Sequence, residues 1–138
     1  GRYMSHASTE QDSIKREGAL VNAIKYIDDV LAKVPNDYRI SQRKARILMV
    51  KNGNKPSAES SEVYKSVLAI LDEDPANKTK RANDYIEAYN QIAGAYILVN
   101  DKANAIVYYE KFLEIDPSNE PLKAYVQKLK EQVAKESK

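Results

Sequence analysis

Residues 86–119 read IEAYNQIAGAYILVNDKANAIVYYEKFLEIDPSN, and this stretch decides the fold. Tyr89, Ile92, Ala93 and Tyr96 recur at helical spacing along one stripe. Asn100 and Asp101 then break the pattern. Asn tolerates the left-handed backbone that ends a helix, and Asp is a good N-cap for the next one. A second stripe follows in Ala105, Ile106, Tyr109, Phe112 and Leu113, with Pro117 just beyond it, where a helix must stop. Two amphipathic helices joined by so short a turn pack antiparallel, as a helical hairpin. The small residues Ala93 and Ala105 then face each other and let the helices approach closely.

The order of these residues resembles the tetratricopeptide repeat pattern W-x2-L-G-x2-Y…A-x3-F-x2-A…P. Tyr89 stands in the Trp slot, Ile92 in the Leu slot, Ala93 in the Gly slot and Tyr96 in the Tyr slot. Ala105, Tyr109 and Pro117 fill the later Ala, Phe and Pro slots. Phe112 replaces the usual small residue, so looser or shifted helix packing is expected there. Asn100 replaces the usual Gly at the turn. The resemblance implies an all-α fold of antiparallel helical hairpins stacked as a short right-handed superhelix.

A repeat should recur, and the tail of the pattern does. Ala105-x3-Tyr109-x2-Phe112-x4-Pro117 is echoed by Val63-x3-Val67-x2-Ile70-x4-Pro75 and by Ala23-x3-Ile27-x2-Val30-x4-Pro35. The prolines lie 40 and 42 residues apart, so each interval carries an insertion beyond the 34-residue unit. In the second unit, Ala45 and Leu48 mark the first helix, and residues 51–57 (KNGNKPS) form a long turn. The extra residues 78–85 (KTKRANDY) are expected to extend the start of a helix reaching Val99. The expected units are 4–37, with a degenerate first helix, then 38–77 and 78–119. In the first unit a second helix over 19–33 is clear. Its partner would need residues 4–16, where Met4, Ala7 and Ile14 are the apolar positions; the alternative is one long helix over 10–33, across Gly18.

Residues 120–138 carry Leu122, Val126, Leu129 and Val133 on one stripe, with Lys, Glu and Gln elsewhere. A repeat array needs a polar-backed helix to cover its last hairpin, and this segment suits that capping role. Its mixed charge argues against a membrane-surface helix.

Composition narrows the chemistry. The 138 residues suit one domain, with 43% hydrophobic and 30% charged residues and only 4 Gly, a helical composition. Ten Tyr accompany one Phe and no Trp, and Tyr suits hairpin packing where its hydroxyl can reach water. With no cysteine there is no disulfide, thiolate nucleophile or cysteine metal site. No apolar run approaches a membrane span, and no signal peptide is visible. The chain opens Gly-Arg-Tyr-Met, which reads as a fragment cut from a longer protein. A soluble protein follows, cytoplasmic or, if a signal peptide was removed, periplasmic. His6, the single histidine, sits in a polar terminal stretch and is expected to be inert. No Gly-rich phosphate loop, HExxH or GxSxG occurs. Asp72-Glu73-Asp74 reads as a solvated acidic turn and Asp28-Asp29 as an exposed face. Asn77-Lys78-Thr79 fits a glycosylation pattern of low specificity. No catalytic residue, metal or cofactor is expected.

Charge gives the functional hint. The net balance is +2, but residues 38–58 hold Arg39, Arg43, Lys44, Arg46, Lys51 and Lys55 with no Asp or Glu. Arg39, Arg43 and Arg46 share one helix face. In the family this chain resembles, the first helix of each hairpin lines a concave groove that often holds a partner's extended peptide. The resemblance therefore implies that Arg39, Gln42, Arg43, Arg46 and Met49 face that groove, joined by Glu87, Asn90, Gly94, Ile97 and Leu98. Arg39 and Arg43 resemble half of a clamp for a terminal carboxylate, with Asn90 as an amide; the Lys and Asn of the other half have no match in residues 4–16. The expected function is a non-catalytic protein–protein interaction scaffold that takes an acidic or C-terminal segment. The alternatives are a solvated basic face, an accessory part of a larger envelope or multi-protein assembly, and weak nucleic-acid binding through the basic helix. Homo-oligomerisation through the apolar side of residues 20–34 is a further option.

Overall fold

The computed structural model describes residues 2–136, with side chains from residue 15 onward. Among the described residues there are seven helices and no strand: α1 (Arg2–Lys33), α2 (Tyr38–Lys51), α3 (Ala58–Leu71), α4 (Asn77–Lys80), α5 (Ala82–Leu98), α6 (Lys102–Ile115) and α7 (Glu120–Glu136). Helices α2 and α3 form one hairpin and α5 and α6 a second; α3 packs on α5, α1 on α2 and α7 on α6. Each element therefore meets chiefly its neighbours, as a stack of hairpins requires.

The turns explain the hairpins. Asn100 takes φ 59°, and the Asp101 amide donates to the Tyr96 carbonyl at 2.8 Å, closing the end of α5. Asp101 then caps α6 by accepting from the Asn104 amide at 3.2 Å. Between α2 and α3, Gly53 and Asn54 both take positive φ, 69° and 63°. Ser57 and Ser60 follow as a reciprocal capping box at the start of α3. Asp37 caps α2 through the Arg39 amide at 3.0 Å.

Two apolar clusters hold the stack. The larger joins Ala45 of α2, Tyr64, Val67 and Leu71 of α3, Tyr85, Ala88, Tyr89 and Ile92 of α5, and Phe112 of α6. Phe112 is thus buried between hairpins. The smaller joins Ala93 and Ala105, both fully buried, to Ile106 and Tyr109 and to Val126 and Leu129 of α7. Leu122 and Val133 pack against its edge, so the stripe on α7 covers the last hairpin. Burying one such aliphatic side chain contributes about 1.5–3 kcal/mol.

Two local expectations change. Residues 78–85 extend α5 only in part: 82–85 are its first turn, whereas Asn77–Lys80 form a separate turn of helix, α4, and the chain breaks at Arg81 (φ −121°) between them. The cause lies in two tethers: the Asn77 amide donates to the Leu71 carbonyl at 2.9 Å, and the Tyr85 hydroxyl to Asp72 at 2.7 Å. The first ties α4, and the second the opening turn of α5, back to the end of α3, one on each side of the break. Asp72 is accordingly an acceptor within the fold, and the glycosylation-type Asn77 is engaged. At the N-terminus, residues 2–33 are one helix, and Gly18 meets nothing within 4 Å of a built Cβ. Ile27 is buried, while Tyr26 stays 71% exposed and Val21 is exposed as well. The side chains of Met4, His6, Ala7 and Ile14 lie outside the described residues.

Candidate partner-binding face

The first helices of the two hairpins, α2 and α5, are stitched together by polar side chains one turn apart. The Gln42 amide nitrogen donates to Asp84 Oδ1 at 2.9 Å. One turn on, the Arg46 guanidinium donates to both oxygens of Glu87, from Nε at 2.9 Å and from Nη2 at 2.6 Å. The Tyr64 hydroxyl, from α3, donates to Glu87 Oε2 at 2.9 Å and lies 3.8 Å from Met49 Sδ. A bidentate Arg–carboxylate pair fixes geometry as well as charge.

The electrostatics follow. Burial pushes the Glu87 carboxyl up, but the hydrogen bonds from Arg46 and Tyr64 outweigh it and hold its pKa below the ordinary value. The same bond raises Arg46. Burial, then the bond to Glu87, lifts Tyr64 well above the ordinary phenol range. All three groups therefore keep their neutral-pH states: an anion between a cation and a phenol.

Part of the basic run is already paired. Lys44 turns toward α1 and meets Asp28 at 2.7 Å, so Asp28 is also engaged. Arg39 lies 3.5 Å from Asp37 but remains largely in solvent. Arg43 is exposed and has no carboxylate within ion-pair distance among the described residues. On α5, Asn90 is exposed, Ile97 is half-buried and Leu98 is 59% exposed. Gly94 seats the α2–α3 turn: a Cβ there would stand 3.2 Å from Pro56 Cγ. Gln42 is buried, so its amide is spent on Asp84.

One neighbour was missed in the sequence. Arg81 lays its guanidinium over the Tyr38 ring, 5.8 Å from the centroid. With Asp37, Tyr38 and Arg39 it lines an open hollow of about 530 Å3 at the head of α2. The basic run KTKR, placed just before α5, was the available signal; reading residues 78–85 as continuous helix hid it.

Stacked antiparallel helix pairs, tied by neighbour contacts and closed by a terminal helix, define a helical-repeat protein. Residues 86–119, nearly the whole α5–α6 hairpin, match the family model of the tetratricopeptide repeat. That match and the all-helical stack around it support a tetratricopeptide-repeat protein. No curated protein matches the chain. The repeat points to a role as a protein–protein interaction scaffold. Among the described residues no helix is long and apolar enough to cross a membrane.

Proposed function

We propose that the α2–α5 face binds an acidic or C-terminal segment of a partner protein, without chemistry. The observation that carries this reading is Arg43, an exposed guanidinium with no carboxylate partner among the described residues, on a helix held in place by its neighbours. Arg39 and Asn90 stand with it as contact residues, and Ile97 and the exposed Leu98 offer apolar surface further along α5. Gln42, Arg46, Met49 and Glu87 serve as the frame that keeps the contact residues at fixed spacing. A face already locked in one geometry avoids part of the ordering cost of binding.

Magnitudes agree with a reversible scaffold. Two charge-assisted hydrogen bonds contribute about 1.5–3 kcal/mol each. With one apolar contact they reach roughly −8 kcal/mol, a micromolar complex.

The test is a fluorescence-anisotropy titration of a labelled Glu-rich peptide with a free C-terminus, against the wild-type chain and Arg43→Glu. The charge reversal should weaken binding more than about tenfold. Equal affinity for the two proteins removes Arg43 from the face. An equally strong single-stranded oligonucleotide would favour nucleic acid instead, with a steep loss of affinity in added salt.

A further inference from the structure

A second cleft lies between α3 and α6, with α5 beneath it and residues of α4 along part of its wall. It consists of two adjoining open hollows, about 280 and 400 Å3, which share Tyr89 and Lys111. These volumes are near the lower end of the roughly 300–1,000 Å3 typical of ligand sites. The first hollow also presents Lys65, Asp72 and Tyr108, and the second presents Glu114.

Tyr89 is the informative residue. It is only 5% exposed, and its ring packs against Tyr85 and Tyr108 at 5.8 and 6.3 Å. Every other well-buried tyrosine of the larger core cluster spends its hydroxyl inside the fold: Tyr64 on Glu87, Tyr85 on Asp72. The Tyr89 hydroxyl makes no hydrogen bond with a described residue. Yet no fully buried side-chain oxygen or nitrogen is left without a partner. The hydroxyl therefore opens into the cleft, on an otherwise buried residue. Burial, and then the charges of Asp72 and Glu114, push its pKa up to about 12, so it stays a proton donor at neutral pH.

Lys111 complements it. It is exposed, lines both hollows, and has no carboxylate within ion-pair distance among the described residues, whereas Lys65 is held by the Tyr96 hydroxyl at 2.9 Å. We propose that this cleft binds a carboxylate side chain presented by an extended peptide segment of a partner protein, with the Tyr89 hydroxyl and the Lys111 ammonium as its two donors. A peptide fits better than a free dianion such as phosphate. Asp72 and Glu114 line the same cleft; they repel a second negative charge but accept backbone N–H groups. Asp72 takes the Tyr85 hydroxyl on Oδ1 and leaves Oδ2 open. The half-buried Tyr108 ring and Leu68 at the cleft wall suit the aliphatic neighbours of the acidic residue. The site is separate from the α2–α5 face and does not depend on it.

The test uses the full chain with ring-labelled tyrosine, followed by NMR. The probe is N-acetyl-Leu-Glu-Leu-amide, with the Gln analogue and inorganic phosphate as controls. The Glu peptide should shift the Tyr89 and Tyr108 ring signals with an affinity on the order of millimolar. Tyr89→Phe keeps the ring packing and removes only the unpartnered hydroxyl. It should weaken the effect on Tyr108 about tenfold, as should Lys111→Gln read on either ring. Arg43→Glu should leave these shifts unchanged. Equal response to the Gln peptide, a stronger response to phosphate, no response at all, or loss of the shifts in Arg43→Glu would each overturn the proposal.

Discussion

Arg46 and Glu87 are joined by two parallel hydrogen bonds, 2.9 and 2.6 Å long, across the step from one hairpin to the next. They lie 41 residues apart in the chain, and their pairing sets how α2 sits against α5. Glu87 also receives the Tyr64 hydroxyl, so three helices meet at one carboxylate. The pair uses a charge that the sequence offered for ligand binding and makes it part of the frame.

Acid should loosen this joint. The Glu87 pKa is lowered in the fold from an ordinary value of 4.5, so the folded state binds its proton less tightly than the unfolded state. Its contribution is complete above the ordinary value and is lost as pH falls through the lowered one. Glu87→Gln should therefore be less stable than wild type at neutral pH and approach it as the pH falls through the lowered pKa. Urea midpoints measured in steps from pH 7 into acid test this; a stability gap that does not narrow in acid contradicts it.

Tyr64→Phe isolates the phenol's share. The ring still fills the core, where Tyr64 is 1% exposed, but Glu87 loses a donor. The expected cost is about 1.5–3 kcal/mol, the range for a hydrogen bond to a charged group. In a double-mutant cycle with Glu87→Gln the two effects should be clearly non-additive. Additive losses would show that the hydroxyl does not act through Glu87.

The turn at Asn100 gives a backbone prediction. With φ at 59°, Asn100→Gly should be neutral or slightly stabilising, and Asn100→Val should cost roughly 1–2 kcal/mol or more. Thermal melts of the two variants decide it; equal melting points would mean that the turn adapts.

Much of the fold was legible because local chemistry and periodicity agree. Asn100, Asp101 and Pro117 bound α6 in the sequence as they do in the structure, and Ala93 and Ala105 meet in one cluster. The stripe on α7 was equally plain. What escaped the sequence depends on contacts between distant residues. The break at Arg81 is imposed by Asn77 and Tyr85 reaching back to α3, and no propensity encodes that. The candidate face was half legible. Residue type and register put Arg39, Arg43 and Asn90 on α2 and α5, but whether a charge is free depends on its partner. Glu87 occupies Arg46, Asp28 occupies Lys44, and only the fold brings them together.

Core truncation gives a further check on the stack. Ile92 is fully buried in the cluster shared by α2, α3, α5 and α6. Ile92→Ala should cost about 2–5 kcal/mol, read from urea unfolding. A loss below about 0.5 kcal/mol, the size of a surface substitution, would place Ile92 outside a packed core.

The proposed partner-binding face joins α2 and α5 around Arg43. Its most direct measurement is backbone amide chemical-shift mapping of the full chain titrated with the Glu-rich, free-C-terminus peptide. Saturable shifts should cluster at residues 39–46 and 90–98 and be weakened more than about tenfold by Arg43→Glu. Saturable shifts confined to other helices, or an unchanged map and affinity in Arg43→Glu, would contradict it.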